Sequence, residues 1–259
     1  MAKMKHFVFV DAACFGEWPW FKVRIPLKAA GHLITTIDLG TTALNAKNFN
    51  DIYPLSDFIE PLVNFLASLK AGDKVILVGH SYGGISIALA MEKFPQLVSV
   101  GVFVSALMPT HKSPPGVIIE EYLNRTPLED WMDCELKFDH GVDTVQSSIR
   151  FGPEYIKTKV CKNCTESILE IANQKVRTTR FCKEDFTEKF LLTKERYGSV
   201  DRIYVMCGED EVIKPDFQLE MIENEPPKEV IMIKGADHMP MLSKISELSK
   251  ILEDVADKY

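Results

Sequence analysis

One five-residue segment, Gly79-His80-Ser81-Tyr82-Gly83, constrains the fold of this chain more than any other feature of its sequence. An apolar strand pattern at residues 75–78 precedes it, and an almost wholly apolar helix pattern at residues 83–94 follows it. A turn this sharp brings strand and helix so close together that only small residues fit beside the serine. The segment therefore predicts a strand–turn–helix unit that lifts the Ser81 hydroxyl into a cleft above a sheet.

Strands and helices alternate on both sides of this unit. Apolar strands that alternate with helices are typical of a parallel sheet covered on both faces, so we predict an α/β fold. Pro61 interrupts one of the helix patterns and is expected to shift its start or kink it. The predicted strands are 6–10, 33–39, 74–78, 98–105, 202–207 and 229–233, and the predicted helices are 18–30, 55–69, 83–94 and a final helix that carries Leu242, Ile245, Leu248, Leu252 and Val255 on one face.

The alternation of strand and helix patterns stops between residues 109 and 197. This stretch is rich in Pro, Lys, Glu and Asp, and it shows only short helical patterns. We predict one α/β core, made of residues 1–108 and 198–259, with residues 109–197 inserted as a helical cap that has no strand of its own. Insertions of this kind often cover an active site.

Composition excludes several functional classes. The 259 residues carry a net charge of −7 with scattered Lys and Arg, which argues against a nucleic-acid partner. No run approaches the roughly 18 consecutive apolar residues of a membrane helix, so no membrane partner is expected. The first residues lead directly into a short strand pattern, without a signal-peptide pattern. Six cysteines in such a chain indicate free thiols and a cytoplasmic protein, and the isolated Cys161-x-x-Cys164 pair predicts no metal site.

A reactive serine needs a base, and the base needs an acid that orients it. Among six histidines, His238 follows the last strand and precedes the last helix, where the base of a Ser–acid–His chain order belongs. The acid is expected after the preceding strand. Four carboxylates near that position are candidates, namely Glu209, Asp210, Glu211 and Asp216.

Five segments carry a family resemblance: residues 5–10 (KHFVFV), 30–32 (AGH), 74–81 (KVILVGHS), 197–200 (YGSV) and 235–239 (GADHM). With them the chain resembles, over nearly its whole length, the plant methylesterase and hydroxynitrile lyase family of α/β-hydrolases. The resemblance implies an α/β-hydrolase fold with a helical cap and a serine hydrolase that acts on small methyl esters of hormone or alkaloid type. It implies a triad of Ser81, His238 and Asp210, and an oxyanion hole formed by the backbone N–H groups of Ala13 and Tyr82.

The same resemblance implies a substrate pocket near Ala12, Phe15, Tyr122 and Trp131, and Asp11, beside Ala12, is a further candidate for it. For the three aromatic residues, ordinary core packing is an equally good interpretation. The reaction needs no metal and no organic cofactor, and the expected partner is a small-molecule ester. A freed β-keto or β-formyl acid would be able to lose carbon dioxide afterwards. The oligomeric state stays open, with a homodimer as one option.

Two departures from the family pattern bear on the reaction. The lyase branch has a threonine in the first loop and a lysine after the catalytic histidine, whereas this chain has Ala12 and Met239. Ester hydrolysis is therefore favoured over cyanohydrin cleavage, and a lyase or a non-catalytic ligand binder are the alternatives. Asp11 stands where the family esterases have histidine, and a carboxylate there must be turned away or neutralised if it is not to repel an oxyanion.

Overall fold

The computed structural model describes residues 4–39, 55–137, 148–180 and 191–259. These residues form two sheets. The main sheet has six strands in the order β2-β1-β3-β4-β8-β9, and every neighbouring pair is parallel, as predicted. The strands in chain order are β1 (His6–Val10), β2 (Leu33–Ile37), β3 (Val75–Ser81), β4 (Val98–Ala106), β5 (Glu135–Lys137), β6 (Ser148–Arg150), β7 (Thr179–Arg180), β8 (Arg202–Cys207) and β9 (Glu229–Ile233).

Helices cover the main sheet. Every residue of β3 is buried, which requires protein on both faces of the sheet. The helices in chain order are α1 (Phe21–Ala29), α2 (Leu55–Phe58), α3 (Glu60–Ala67), α4 (Gly83–Lys93), α5 (Val117–Asn124), α6 (Pro153–Tyr155), α7 (Glu166–Lys175), α8 (Pro215–Asn224), α9 (Pro240–Ser243) and α10 (Ile245–Lys258). The helix α4 packs against β3 and β4, and α1 packs against α10. No helix within the described ranges is long and apolar enough to cross a membrane.

Three predictions from the sequence need correction or refinement. The predicted helix 55–69 is divided into α2 and α3, because Pro61 lies in the first turn of α3 and cannot continue a helix from before it. The last helix pattern is also broken, at Lys244, whose φ of −131° is not helical. The expectation that the cap has no strand is wrong, since β5, β6 and β7 form a small antiparallel sheet there. Strands of two or three residues are too short to show an alternating pattern.

The parallel main sheet determines where the site is built. Parallel strands end at the same edge, and loops at that edge hold the ligand sites of α/β proteins. The edge receives Ser81 at the end of β3, Ser105 near the end of β4, and the loops that follow β1, β8 and β9. Residues 109–137, 148–180 and 191–197 add no strand to this sheet.

Candidate active site

Ser81 occupies the sharp turn that the sequence predicts. Its φ is 53°, a left-handed conformation that is strained for a residue with a side chain. The following helix α4 approaches its neighbours so closely that glycine is required at its start. A Cβ on Gly83 would lie 2.4 Å from the backbone oxygen of Asp11, and one on Gly84 would lie 2.3 Å from that of Leu107. The packed strand–helix unit thus holds Ser81 in its strained conformation.

His238 links Ser81 to Asp210 by two hydrogen bonds. The Ser81 hydroxyl lies 3.0 Å from Nε2 of His238, and Nδ1 of His238 lies 2.7 Å from Oδ2 of Asp210. A carboxylate only accepts, so Nδ1 carries the ring proton and Nε2 is free to accept the hydroxyl proton. His238 and Asp210 are both nearly inaccessible to solvent. Of the four carboxylates that the sequence offered, the structure brings Asp210 to the histidine.

Four hydrogen bonds hold the carboxylate of Asp210. Its Oδ1 accepts the backbone N–H groups of Val212, at 2.7 Å, and Ile213, at 2.9 Å. Its Oδ2 accepts the hydroxyl of Ser105 as well as the ring N–H of His238. The role of Ser105 is not predicted from the sequence, because a serine in an apolar strand gives no signal of a polar role.

Two further buried side chains fix the loop that carries His238. Nε2 of His80 donates to the backbone oxygen of His238 at 2.7 Å, and the two rings lie 4.6 Å apart. Burial, reinforced by the neighbouring His238, holds the pKa of His80 well below its usual value, so this ring is neutral. The carboxylate of Asp237 accepts the backbone N–H of Met239 at 3.1 Å and that of Asn163, in the segment 148–180, at 2.8 Å.

An apolar cavity opens beside the Ser81 hydroxyl. Five of the predicted site residues line it, namely Ala13, Ser81, Tyr82, Tyr122 and Trp131. The other lining residues are not among the predicted site residues. They are Leu107, Ile119, Phe151, Val212 and Ile213. In a sequence, such side chains cannot be told apart from core residues. Position is the available signal for two of them, since Leu107 directly follows β4 and Val212 lies two residues after Asp210.

The aromatic part of the cavity wall is uncharged. The rings of Tyr122 and Trp131 meet edge to face at 6.0 Å, and Trp131 stacks on Tyr155 at 5.8 Å. Burial raises the pKa of both tyrosines, so their phenols keep their protons. Such a wall suits an apolar acyl or alkyl group better than a charged one.

Three predicted pocket residues lie elsewhere. Within the described ranges, Asp11, Ala12 and Phe15 are not among the residues that line the cavity. Phe15 is fully buried behind it, and its ring packs against Phe151 at 5.8 Å. Phe15 therefore supports the wall from behind.

The carboxyl group of Asp11 contacts the segment that follows β2. Its Oδ1 accepts the backbone N–H of Leu39 at 3.3 Å. Burial, together with the nearby carboxylate of Asp38, raises the pKa of Asp11 well above its usual value. Arg177, in the segment 148–180, lies 3.7 Å from Asp38 and opposes that shift only weakly. A neutral carboxyl group does not repel an oxyanion, so the raised pKa of Asp11 weakens the repulsion that an ionised carboxylate would exert.

A wider polar cleft of about 240 Å³ adjoins the apolar cavity and shares Tyr122 and Val212 with it. Ion pairs between the segment 109–197 and the core lie along its wall. Arg125 pairs with Glu220 at 2.6 Å, and Lys214 pairs with Asp130 at 3.6 Å. The cleft therefore lies at the boundary between this segment and the core.

Comparisons with known proteins agree with this architecture. Residues 7–248 match the model of the Alpha/beta hydrolase family. The chain is 44% identical to Methylesterase 10 of Arabidopsis thaliana, covering 99% of this chain and 94% of that protein. It is 41% identical to Methyl jasmonate esterase 1 of Vitis vinifera, covering 98% of each. The crystal structure of polyneuridine aldehyde esterase superposes with a TM-score of 0.92 at 36% identity, covering 98% of this chain and 100% of the other. The chain therefore belongs to the α/β-hydrolase family, within the group that contains the plant methylesterases.

Proposed function

We propose that this chain hydrolyses a carboxylic ester of a small plant metabolite, most simply a methyl ester, with Ser81 as nucleophile, His238 as base and Asp210 as orienting acid. One observation carries the assignment of these roles: the hydrogen bonds from Asp210 through His238 to Ser81 are continuous, and they end in an apolar cavity. The similarity to Methylesterase 10 and Methyl jasmonate esterase 1 supports a methylesterase activity.

The first half of the reaction forms an acyl-enzyme. Nε2 of His238 accepts the proton of the Ser81 hydroxyl while Oγ attacks the ester carbonyl. The carbonyl oxygen becomes an oxyanion, which the backbone N–H groups of Ala13 and Tyr82 are proposed to stabilise. Loss of one such donor costs about 3–4 kcal/mol in comparable sites. The protonated His238 then gives its proton to the departing alcohol, and Asp210 stabilises the charged ring meanwhile.

The second half returns the enzyme to its starting state. A water molecule loses its proton to Nε2 of His238 and attacks the acyl carbon. The tetrahedral intermediate collapses, the acid leaves, and Ser81 regains its proton from His238. The water supplies the proton that left with the alcohol, so the residues complete the cycle without a metal or an organic cofactor. If the freed acid carries a β-keto or β-formyl group, it can lose carbon dioxide afterwards without a further catalytic residue.

The test is methanol release from a panel of plant methyl esters, followed by mass spectrometry of the products. We expect turnover of at least one ester by the wild type and none by Ser81→Ala of unchanged melting temperature. Parallel incubation with cyanohydrins tests the lyase alternative, which predicts aldehyde and cyanide in place of methanol. Tight binding of an ester by the wild type without turnover would contradict the proposal and favour a non-catalytic binder.

We also propose a cytoplasmic location, because the five cysteines in the described ranges are all free thiols. The division into residues 1–108, 109–197 and 198–259 stays a prediction, as do the lack of a nucleic-acid partner and the option of a homodimer. Light scattering after size-exclusion chromatography measures the oligomeric state directly.

A further inference from the structure

Ser105 has an unusual place in the core. It lies in β4, where its neighbours are apolar, and it is fully shielded from solvent. Its φ is 37°, so a residue with a Cβ is held in the left-handed region. A buried hydroxyl and a strained backbone at one position are both unfavourable unless the side chain has a specific partner.

The partner of Ser105 is the carboxylate that orients His238. Its hydroxyl donates to Oδ2 of Asp210, the same oxygen that accepts the Nδ1 proton of His238. The other oxygen, Oδ1, is already occupied by two backbone N–H groups. Ser105 is thus the one side chain, besides His238, that hydrogen-bonds this carboxylate within the described ranges.

Burial alone does not explain this hydrogen bond. Ser86, in α4, is also fully shielded from solvent, yet its hydroxyl has no hydrogen-bond partner within the described ranges. The fold therefore tolerates a buried serine whose hydroxyl is unpaired. At Ser105, in contrast, the strained backbone directs the hydroxyl at Asp210.

We propose that Ser105 is a positioning residue that holds Asp210 in place and limits how strongly this carboxylate attracts the proton-carrying ring of His238. Two donors share Oδ2, so each takes part of its negative charge. Without the Ser105 hydroxyl, the negative charge of Oδ2 acts on His238 alone and favours the doubly protonated ring. In that form Nε2 cannot accept the Ser81 proton. The inference rests on the proposed roles of Ser81, His238 and Asp210.

The test compares Ser105→Ala with Ser86→Ala, since each variant removes one fully buried hydroxyl. For Ser105→Ala on a p-nitrophenyl ester we expect kcat to fall about tenfold with KM nearly unchanged, because a charged hydrogen bond is lost. We expect the acidic midpoint of the pH–rate profile to move up by about half a pH unit to one unit. Ser86→Ala should leave the midpoint where it is. A loss of activity without movement of the midpoint, or a movement to lower pH, would overturn the proposal.

A second variant and a second measurement test the role of Ser105 even if the alanine variant does not fold or the protein does not hydrolyse esters. Ser105→Gly removes the hydroxyl and also relieves the strain of the positive φ, so it is expected to fold even if the alanine variant does not. NMR titration of the His238 ring signals needs no substrate. An upward shift of their titration midpoint in either variant supports the role of Ser105 even if no ester is turned over, and an unchanged midpoint contradicts it.

Discussion

Replacing Asp11 with asparagine tests whether ionisation of this buried carboxyl group destabilises the folded protein. The substitution removes an ionisable group and keeps its shape, and the amide oxygen can still accept the backbone N–H of Leu39. Asparagine also removes the charge repulsion from the carboxylate of Asp38, which opposes ionisation of Asp11. Both changes favour the folded state.

The expected gain in stability follows from the direction of the pKa shift. The pKa of Asp11 is raised in the folded protein, so its stabilising contribution is complete below the unfolded-state pKa and is lost as pH rises towards the folded-state value. Each pH unit in this window costs about 1.4 kcal/mol. Asp11→Asn avoids that cost, and each 1.4 kcal/mol avoided raises the melting temperature of a chain of this size by about 3–6 °C.

The assay is thermal unfolding of wild type and Asp11→Asn between pH 4 and pH 8. The melting temperature of the variant should exceed that of the wild type at pH 8, and the difference should shrink as pH falls towards 4. Asp73→Asn is the matched control, because Asp73 also accepts a backbone N–H, that of Lys70, but is exposed. If Asp11→Asn is less stable than the wild type at pH 8, Asp11 is ionised and stabilised in the fold and the reasoning is refuted.

Three further predictions concern the site and its supports. Ser81→Ala and His238→Ala should each lower kcat about a millionfold, and the double variant little more, because the residues act as a unit; independent, multiplying losses in steady-state kinetics would contradict this. Gly84→Ala should lower the free energy of unfolding by at least about 2 kcal/mol, because its Cβ would meet a backbone oxygen at 2.3 Å; an unchanged urea midpoint would show that α4 can move. Glu225→Ala should cost about 3–5 kcal/mol in the same urea titration, because Arg202, 3.2 Å away, would stay buried without its partner; a loss under 1 kcal/mol would contradict this.

The main sheet and the residues next to Ser81 could be predicted from the sequence because their signals are local. The strand, the glycines and the apolar helix around Ser81 are adjacent in the chain, and the loop that follows the last strand contains His238. The acid was harder to choose. Glu209, Asp210 and Glu211 are consecutive, and only the three-dimensional path of the loop decides which carboxylate meets the histidine.

Other features of the site depend on contacts between distant segments, which one sequence does not reveal. Ser105 hydrogen-bonds a carboxylate 105 residues further along the chain, and the backbone N–H of Asn163 donates to Asp237, 74 residues away. Val212 lines the cavity but has the sequence signature of a core residue. The strands β5, β6 and β7 have two or three residues each. They form because they pair with one another, and not because their residues locally favour strand structure.

Mapping of the acyl-enzyme tests the central claim most directly. A p-nitrophenyl ester is mixed with the wild type, the reaction is stopped in acid within one turnover, and the protein is digested for mass spectrometry. We expect the added mass of one acyl group on the peptide that contains Ser81, and no added mass in Ser81→Ala. An acyl group on a different residue, or steady turnover in Ser81→Ala, would contradict the assignment of Ser81 as the nucleophile.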